Sequence, residues 1–583
     1  MTADTALYDS KPWTAAYGSS IEPKLPAARY KNLAHMVHSA CERFAKQTAF
    51  TAVVPNGMNG SLTFSQVGDL SDAFAVYLRD VCGLKAGDRV AVQLPNGLAY
   101  PVVAFGVFKA GCVLVNTNPL YTPSEMAHQF KDSGARVLVI VDMFADKLAE
   151  VIPKTKIERV VLAGVSEMFP AIPNLIVRGV QKVWSKVLPP VPSLPQKIER
   201  LSAALASGQA KNSTGKVKAW WESVASSEVV ALQYTGGTTG VSKGAMLTHA
   251  NMLANVDQVQ AMGKSHMGQG ECVLTALPLY HIFAFTANLL LFMDIGGRNI
   301  LIPSPRPVQN LQRALENYPI TWITGVNTLF NGLMNEEWFA AFPPKHLKAA
   351  IAGGTALHHA VAERWQTITG TRIAEGFGLT ECSPVVSFNP LTGSARADSI
   401  GIPVPGTEVR LVDDAGAPVG PGEPGELIVR GPQTMLGYWQ RADETAAVIK
   451  DGWLYTGDVA VMDAQGYFKI VDRKKDLVLV SGFNVYPNEI EDALAKMGAI
   501  LEAAVVGMPD AKSGEAVRAY IVKNPDFQGE LTKEAVLAHC KTLLTDYKIP
   551  KSIIFRDDLP KTPVGKILRK DLKAEVKAEF NKK

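Results

Sequence analysis

Cysteine is scarce in this chain: Cys41, Cys82, Cys112, Cys272, Cys382 and Cys540 are scattered through 583 residues with no Cys-x-x-Cys pair. That argues against a disulfide framework and fits a reducing compartment. Long apolar runs are also missing. The longest, residues 282–293, is twelve residues interrupted by Thr286 and Asn288, short of the roughly 20 needed to cross a bilayer, so any membrane contact is expected to be peripheral. A net charge of +4 is too small and too dispersed to argue for a nucleic-acid partner, although a local basic patch stays open. The start, Met1-Thr2-Ala3-Asp4-Thr5-Ala6, lacks a basic stretch followed by an apolar core, so a cytoplasmic location is expected. With 47% apolar and 20% charged residues the chain reads as an ordinary folded protein, long enough for about three to four structural units.

What is present is a loop of glycine, hydroxyl and lysine, Thr235-Gly236-Gly237-Thr238-Thr239-Gly240-Val241-Ser242-Lys243-Gly244, directly after the apolar stretch Val229-Val230-Ala231-Leu232. Glycines let backbone N–H groups approach anionic oxygens, hydroxyls donate to them, and a lysine adds a compact positive charge. The pattern suits a polyphosphate such as ATP. It is not the familiar Gly-x-x-x-x-Gly-Lys-Ser/Thr loop: the chain's Gly263-Lys264-Ser265 has Gln258 where the first glycine should stand.

Residues 33–162 alternate helical segments with short apolar runs such as Val90-Ala91-Val92-Gln93-Leu94 and Val137-Leu138-Val139-Ile140-Val141, the pattern of an α/β unit with a mainly parallel sheet. A second such unit is predicted over 229–388. Between them, 166–216 reads as an insertion, with Pro170, Pro173, Pro189, Pro190, Pro192 and Pro195 bracketing one helical stretch. In that stretch Ile176, Val180, Val183, Trp184 and Val187 share one helical face and Arg178, Lys182 and Lys186 form a basic stripe on another. Such a helix suits an anionic membrane surface, or else packs its apolar face on the body of the protein. From Gly401 onward, turns such as Val419-Gly420-Pro421-Gly422 alternate with short strands such as Glu426-Leu427-Ile428-Val429-Arg430, predicting a small β-rich annex, and a compact α+β unit follows from about Arg473.

Further motifs follow the first loop in order: Gly353-Gly354-Thr355-Ala356-Leu357, Glu375-Gly376-Phe377-Gly378-Leu379-Thr380-Glu381, Gly425-Glu426-Leu427-Ile428-Val429-Arg430-Gly431 with Gly437-Tyr438-Trp439, and Asp451-Gly452-Trp453-Leu454-Tyr455-Thr456-Gly457-Asp458. Then come Asp472-Arg473-Lys474-Lys475-Asp476, Ser481-Gly482-Phe483-Asn484-Val485-Tyr486-Pro487-Asn488-Glu489-Ile490-Glu491 and Pro560-Lys561-Thr562-Pro563-Val564-Gly565-Lys566. In that order and spacing the chain resembles the acyl-activating adenylate-forming enzymes. Its segments Thr117-Asn118-Pro119-Leu120-Tyr121-Thr122 and Leu277-Pro278-Leu279-Tyr280-His281-Ile282-Phe283-Ala284-Phe285 are similar to the bacterial long-chain fatty-acid CoA ligases. The resemblance implies an α/β fold: residues 1–474 as an adenylation domain of two sheet subdomains plus the β-rich annex, and 475–583 as a small mobile C-terminal domain.

It also implies a chemistry, in which ATP and a carboxylate form an acyl-adenylate with loss of pyrophosphate and the thiol of coenzyme A then displaces AMP. By the resemblance, Thr235, Gly236, Gly237, Thr238, Thr239, Gly240 and Lys243 hold the phosphates, Lys566 reaches the α-phosphate and substrate carboxylate, and Glu381 holds Mg²⁺. Gly353, Gly354, Thr355, Ala356, Phe377, Gly378 and Thr380 border the nucleotide, Phe377 standing where many relatives have tyrosine, and Asp458 and Arg473 take the ribose hydroxyls. Lys475 is the expected hinge, Gly482, Phe483 and Asn484 line the coenzyme A tunnel after the domain turns, and His281 and Phe285 belong to the acyl pocket, His281 being also readable as a satisfied core histidine.

The substrates implied are fatty acid, ATP and CoA, at a cytoplasmic or peripheral position on the inner face of the cell membrane through 170–190. Homodimerisation is common among such relatives, and no feature of this sequence establishes it. Medium-chain or aryl acids are the alternative substrates, and transfer to a carrier protein is disfavoured by the intact 481–484 segment. A non-catalytic lipid-binding protein would need none of Lys243, Glu381, Asp458 and Lys566.

Overall fold

Strand-forming apolar runs assemble into two large sheets, seen in a computed structural model that describes residues 3–18, 21–235, 242–391, 394–562 and 565–580, with residues 3–5 and Trp184 described by their backbone alone. The seven-stranded sheet runs in the order Lys197–Arg200, Arg159–Ala163, Val137–Val141, Arg89–Gln93, Val113–Asn116, Val229–Thr235, Lys243–Thr248, parallel until its last, antiparallel pair. The nine-stranded sheet has a parallel centre of Ile373–Gly378, Ala349–Gly353, Trp322–Gly325, Cys272–Thr275, Arg298–Leu301 and Thr48–Val53, with antiparallel strands at both edges. Near-continuous burial along the central strands explains their unbroken runs of Val, Ile, Leu and Ala.

Sheet membership does not follow chain order. Thr48–Val53 pairs with Arg298–Leu301 in the nine-stranded sheet, while Val229–Thr235, predicted to open the second unit, completes the first sheet beside Val113–Asn116. The insertion at 166–216 is likewise more than a surface excursion: Lys197–Arg200 forms an edge strand on Arg159–Ala163, and helix Leu201–Lys211 packs against helix Phe64–Val76. Its helix Ala171–Gly179, continued by a wide turn over Val180–Trp184, does not bury its apolar side. Ile172, Leu175 and Val183 are more than two-thirds exposed, at 72%, 74% and 72%, Lys182 and Lys186 are exposed beside them, and Arg178 turns inward to pair with buried Asp142 at 3.1 Å.

The annex is an antiparallel sheet of Glu408–Val412, Gly425–Arg430, Trp453–Met462 and Ile449–Lys450, with Phe468–Arg473 paired to Trp453–Met462. An N-terminal strap fastens it. Trp13, 1% exposed, meets Phe468 edge-on at 6.1 Å, the Tyr17 hydroxyl donates to Pro403 O at 2.6 Å, and Asp9 pairs with Arg410 at 2.8 Å. The C-terminal unit has its own core around Val485, Ile490, Val517 and Val536. Its sheet joins Phe483–Val485, Val478–Val480, Gly514–Lys523 and Ile500–Asp510, with Ser552–Arg556 alongside Gly514–Lys523. Because strand Phe468–Arg473 carries Arg473, the strap bears on the site below. Trp13→Ala should lower stability by about 3 kcal/mol and lower the thermal midpoint followed by circular dichroism; an unchanged midpoint would show that the strap does not anchor the annex.

Candidate active site

Both sheets direct the carboxyl ends of their parallel strands to one crevice, the place where open α/β sheets hold ligands. Thr235 ends Val229–Thr235, Gly353 ends Ala349–Gly353, and Phe377 and Gly378 end Ile373–Gly378. Gly236, Gly237, Thr238, Thr239 and Gly240 lie outside the described residues. At the flanks of that loop, Ser242 Oγ donates to Thr235 O at 2.6 Å, and Lys243 is ion-paired with Glu444 while lying 5.0 Å from the Tyr438 ring centroid. Tyr438 in turn donates its hydroxyl to Glu381 Oε1 at 2.6 Å, so the acidic residue expected to hold Mg²⁺ is oriented by a tyrosine to which the sequence assigned no role.

Lys566 enters this crevice from the C-terminal unit. A tight loop aims it: Lys566 N donates to Thr562 Oγ1 at 3.0 Å, Thr562 N donates to Lys566 O at 2.7 Å, and Gly565 has φ 91°, a left-handed conformation that suits glycine. Its side chain lies so close to Gly354 that a Cβ there would be 3.3 Å from Lys566 Cε. Burial and the nearby Arg473 bring the Lys566 ammonium down to about 8, against the opposing pull of Asp458 and Glu381.

Asp458 and Arg473 face each other on neighbouring strands and pair at 2.9 Å; Asp458 is 3% exposed, and burial pushes its carboxyl above the ordinary value in spite of Arg473, Lys566 and Lys475. Lys475 follows at the domain junction with its ammonium lowered, by burial first and Arg473 next.

Lys566 also lines a cavity of about 100 Å³ with His281, Phe283, Gly353, Gly354, Phe377, Gly378 and Thr380 at the polar end, and Val259, Met267, Ala287, Leu291, Phe292 and Trp322 at the apolar end. His281 Nδ1 accepts from Phe283 N at 3.3 Å, which leaves the proton on Nε2. Burial, and then Lys566, hold this imidazole down at about 3, so it stays neutral. Thr355 Oγ1 is buried with no hydrogen-bond partner among the described residues, an open donor within the segment, with Ala356, that is expected to border the nucleotide.

Phe285 and the segment 482–484, which is expected at the tunnel only after the domain turns, stand away from the cavity beside Lys566 in this arrangement. Phe285 does not line the cavity beside Lys566: it is fully buried and packs edge-on against Phe108 at 6.2 Å and Tyr100 at 6.5 Å. Residues two apart on one helix point to nearly opposite sides, so Phe283 takes the cavity wall while Phe285 faces the core. Gly482, Phe483 and Asn484 are exposed; Ser481 and Gly482 form the turn of a hairpin, and Phe483 stacks on Tyr547 at 5.0 Å, apart from the Lys566 crevice.

With this geometry in place, the chain is found to match the AMP-binding enzyme family over residues 37–439 and the AMP-binding enzyme C-terminal domain over 489–566. It belongs to the AMP-binding enzyme family. It is 47% identical over 574 residues to a long-chain-fatty-acid CoA ligase of Escherichia coli O157:H7, covering 98% of this chain and 100% of that protein. With a long-chain-fatty-acid CoA ligase of Yersinia pestis the identity is 48% over 566 residues, 97% of this chain and 98% of that one. The fold is that of the anthranilate CoA ligase AuaEII in complex with anthranoyl-AMP, with a TM-score of 0.82 over 95% of this chain and 98% of that one at 24% identity.

The lowered Lys566 ammonium has a direct readout. Labelling by acetic anhydride, followed by mass spectrometry across pH, should give half-maximal modification of Lys566 near pH 8, well below exposed lysines at about 10.4. MgATP should move it upward, since added negative charge favours the charged ammonium. Labelling that tracks the exposed lysines would sink the desolvated placement.

Proposed function

We propose that this chain is an ATP-dependent, AMP-forming long-chain fatty-acid CoA ligase, divided between residues 474 and 475 into an adenylation domain and a mobile C-terminal domain. The observation that carries the reading is Lys566 delivered across that division onto Gly354, in one crevice with Glu381 and the Asp458–Arg473 pair. Relatives spanning nearly the whole chain and named long-chain-fatty-acid CoA ligases supply the substrate class.

In the first half-reaction a fatty-acid carboxylate oxygen attacks the α-phosphorus of ATP and the bond to pyrophosphate breaks. Charge builds on the α-phosphate oxygens, and a fixed cation in a partly dried site stabilises it most. Lys566 supplies that cation. Asp458 and Arg473 hold the ribose hydroxyls, Thr355 offers its free hydroxyl, and Phe377 gives the adenine a stacking surface without a phenol. Neutral His281 presents Nε2–H to the carboxylate and adds no competing charge. Glu381 suits Mg²⁺: a hard cation that keeps several waters and shares the phosphates requires only one or two carboxylates, and Glu381 is held in place by Tyr438. Mg²⁺ bound there would neutralise phosphate charge. In the second half-reaction the coenzyme A thiol attacks the acyl carbonyl and AMP leaves; the segment 482–484 reaches the crevice for this step only after rotation about Lys475.

Tail recognition rests on burial of methylenes, at about 0.8 kcal/mol each, beginning at the apolar residues beside Lys566 and continuing beyond the space they enclose when a long tail is bound. AMP release with MgATP, CoA and saturated acids of six to eighteen carbons should therefore rise with length, peak at twelve carbons or longer, and require CoA. A peak at short or aromatic acids would place the chain elsewhere in the family.

The exposed apolar side of 172–191, with Lys182 and Lys186, supports peripheral docking on an anionic membrane. The inner side of the same segment, Val177, Val180 and Gln181, walls a separate cavity of about 1190 Å³. The vesicle partition coefficient measured by co-sedimentation with phosphatidylglycerol vesicles should fall about thirtyfold in a Lys182→Gln, Lys186→Gln double variant, from roughly 1 kcal/mol per basic residue; equal sedimentation of both proteins would remove the membrane reading.

A further inference from the structure

Helix Pro487–Ala495 begins at Tyr486, whose side chain caps nothing, so its first-turn N–H groups need an acceptor from elsewhere. The acceptor comes from the other side of the domain junction. Asp472, fully buried near the end of annex strand Phe468–Arg473, accepts from Asn488 N at 2.8 Å through Oδ2 and from Arg473 N at 2.7 Å through Oδ1. Asn488 Nδ2 donates back to Val471 O at 3.2 Å. The last helix, Arg569–Phe580, fixes this arrangement: Arg569 donates to Asn488 Oδ1 and pairs with Glu491 at 2.5 Å, and Lys573 donates to Lys475 O at 3.0 Å while pairing with Asp476 at 2.6 Å. A carboxylate at a helix N-terminus is favoured by the helix dipole as well.

We infer that Asp472 is a positioning residue for acyl-adenylate formation, capping helix Pro487–Ala495 of the C-terminal domain only while that domain holds Lys566 in the crevice. The inference rests on the reading of Lys475 as the pivot. Lys475 lies between Asp472 and Asn488 in the chain, so a turn there re-aims the helix relative to the strand. Both hydrogen bonds across the junction are directional, and such bonds weaken steeply when misaligned. The cap therefore counts toward one domain arrangement and not the other, and only an interaction that differs between two states shifts their balance. Asp472 does not line the cavity, and its one contact with the proposed ribose residues is to the backbone N of Arg473; its effect on the reaction runs through the placement of Lys566.

The test uses the full chain and two separate readouts: pyrophosphate release from ATP and fatty acid without CoA, and acyl-CoA formation from a preformed acyl-adenylate. Asp472→Ala should lower kcat of the first about tenfold, the effect of losing one hydrogen bond to a charged group. KM for ATP should hold steady, and the second readout should be unchanged or faster. That second readout also shows that the variant is folded. Asp472→Asn, which keeps an acceptor, should recover part of the loss, and Asn488→Ala should show the same one-sided defect. An equal loss in both half-reactions, or a rise in KM for ATP through Arg473, would overturn the positioning role. Failure of the unmodified chain to convert preformed acyl-adenylate would overturn the two-step ligase reading itself, whatever the variants do.

Discussion

A lysine ammonium drawn out of water and laid on glycine backbone by a loop from a separate domain is the constraint around which the site is arranged. Burial works against such a charge, and here it brings Lys566 to about 8 with Arg473 adding repulsion. Asp458 and Glu381 offset part of that cost without taking the lysine into a closed ion pair: Asp458 is committed to Arg473 at 2.9 Å and Glu381 to the Tyr438 hydroxyl at 2.6 Å. The ammonium stays available for an incoming anion, as electrostatic stabilisation of a developing charge demands. The neutrality of His281 belongs to the same logic, since a second cation beside Lys566 would deepen the desolvation problem.

The two sheets make this placement possible. Parallel strands all end on one side, so Thr235 from one sheet and Gly353 and Gly378 from the other arrive at a common crevice without any strand leaving its sheet. The annex then brings Asp458 and Arg473 opposite each other on adjacent antiparallel strands, a register in which the two side chains share a face. Its last strand ends at Arg473, two positions before Lys475, so the arginine proposed to hold the ribose and the residue proposed to move the domain are separated by Lys474 alone, with Asp458 paired to that arginine across the strands. A displacement of the annex would be felt at both, which gives the strap of Trp13 and Tyr17 its importance.

Much of this was legible in the sequence because it depends on local patterns: apolar runs for buried strands, glycine and hydroxyl clusters for anion-binding turns, the alternation that marks the annex. What was not legible depends on contacts between distant segments. Nothing local to Thr48–Val53 says that it pairs with Arg298–Leu301. The stripe of Arg178, Lys182 and Lys186 looks uniform along the helix, yet Asp142 takes Arg178 inward and leaves the two lysines in solvent. Phe283 and Phe285 are two residues apart on one helical stretch and so face opposite ways; which of the two faces the cavity is set by how that stretch packs on distant elements. Tyr438 appears in a quoted motif, but its bond to Glu381 spans 57 positions.

The junction between the two units has the composition that an alternating machine requires. The C-terminal unit buries Val485, Ile490, Val517 and Val536 in a core of its own, so its folding does not depend on apolar contact with the adenylation domain. Among the described residues, polar contacts that cross the junction include Asn488 with Asp472 and Val471 and His358 with Asp492 at 3.6 Å, beside Lys566 in the crevice and Gly565 close to Thr328 and Val326. Polar groups of this sort lose little when water replaces the partner, because water completes the hydrogen bonds that separation breaks. An apolar junction of the same size would have to expose its area to solvent on every turn, at about 25 cal/mol per Å². On the proposed rotation the same reasoning applies to Lys566: once pyrophosphate has left, the anion attracting it would be reduced in charge, and the attraction holding the C-terminal unit against the crevice would fall with it.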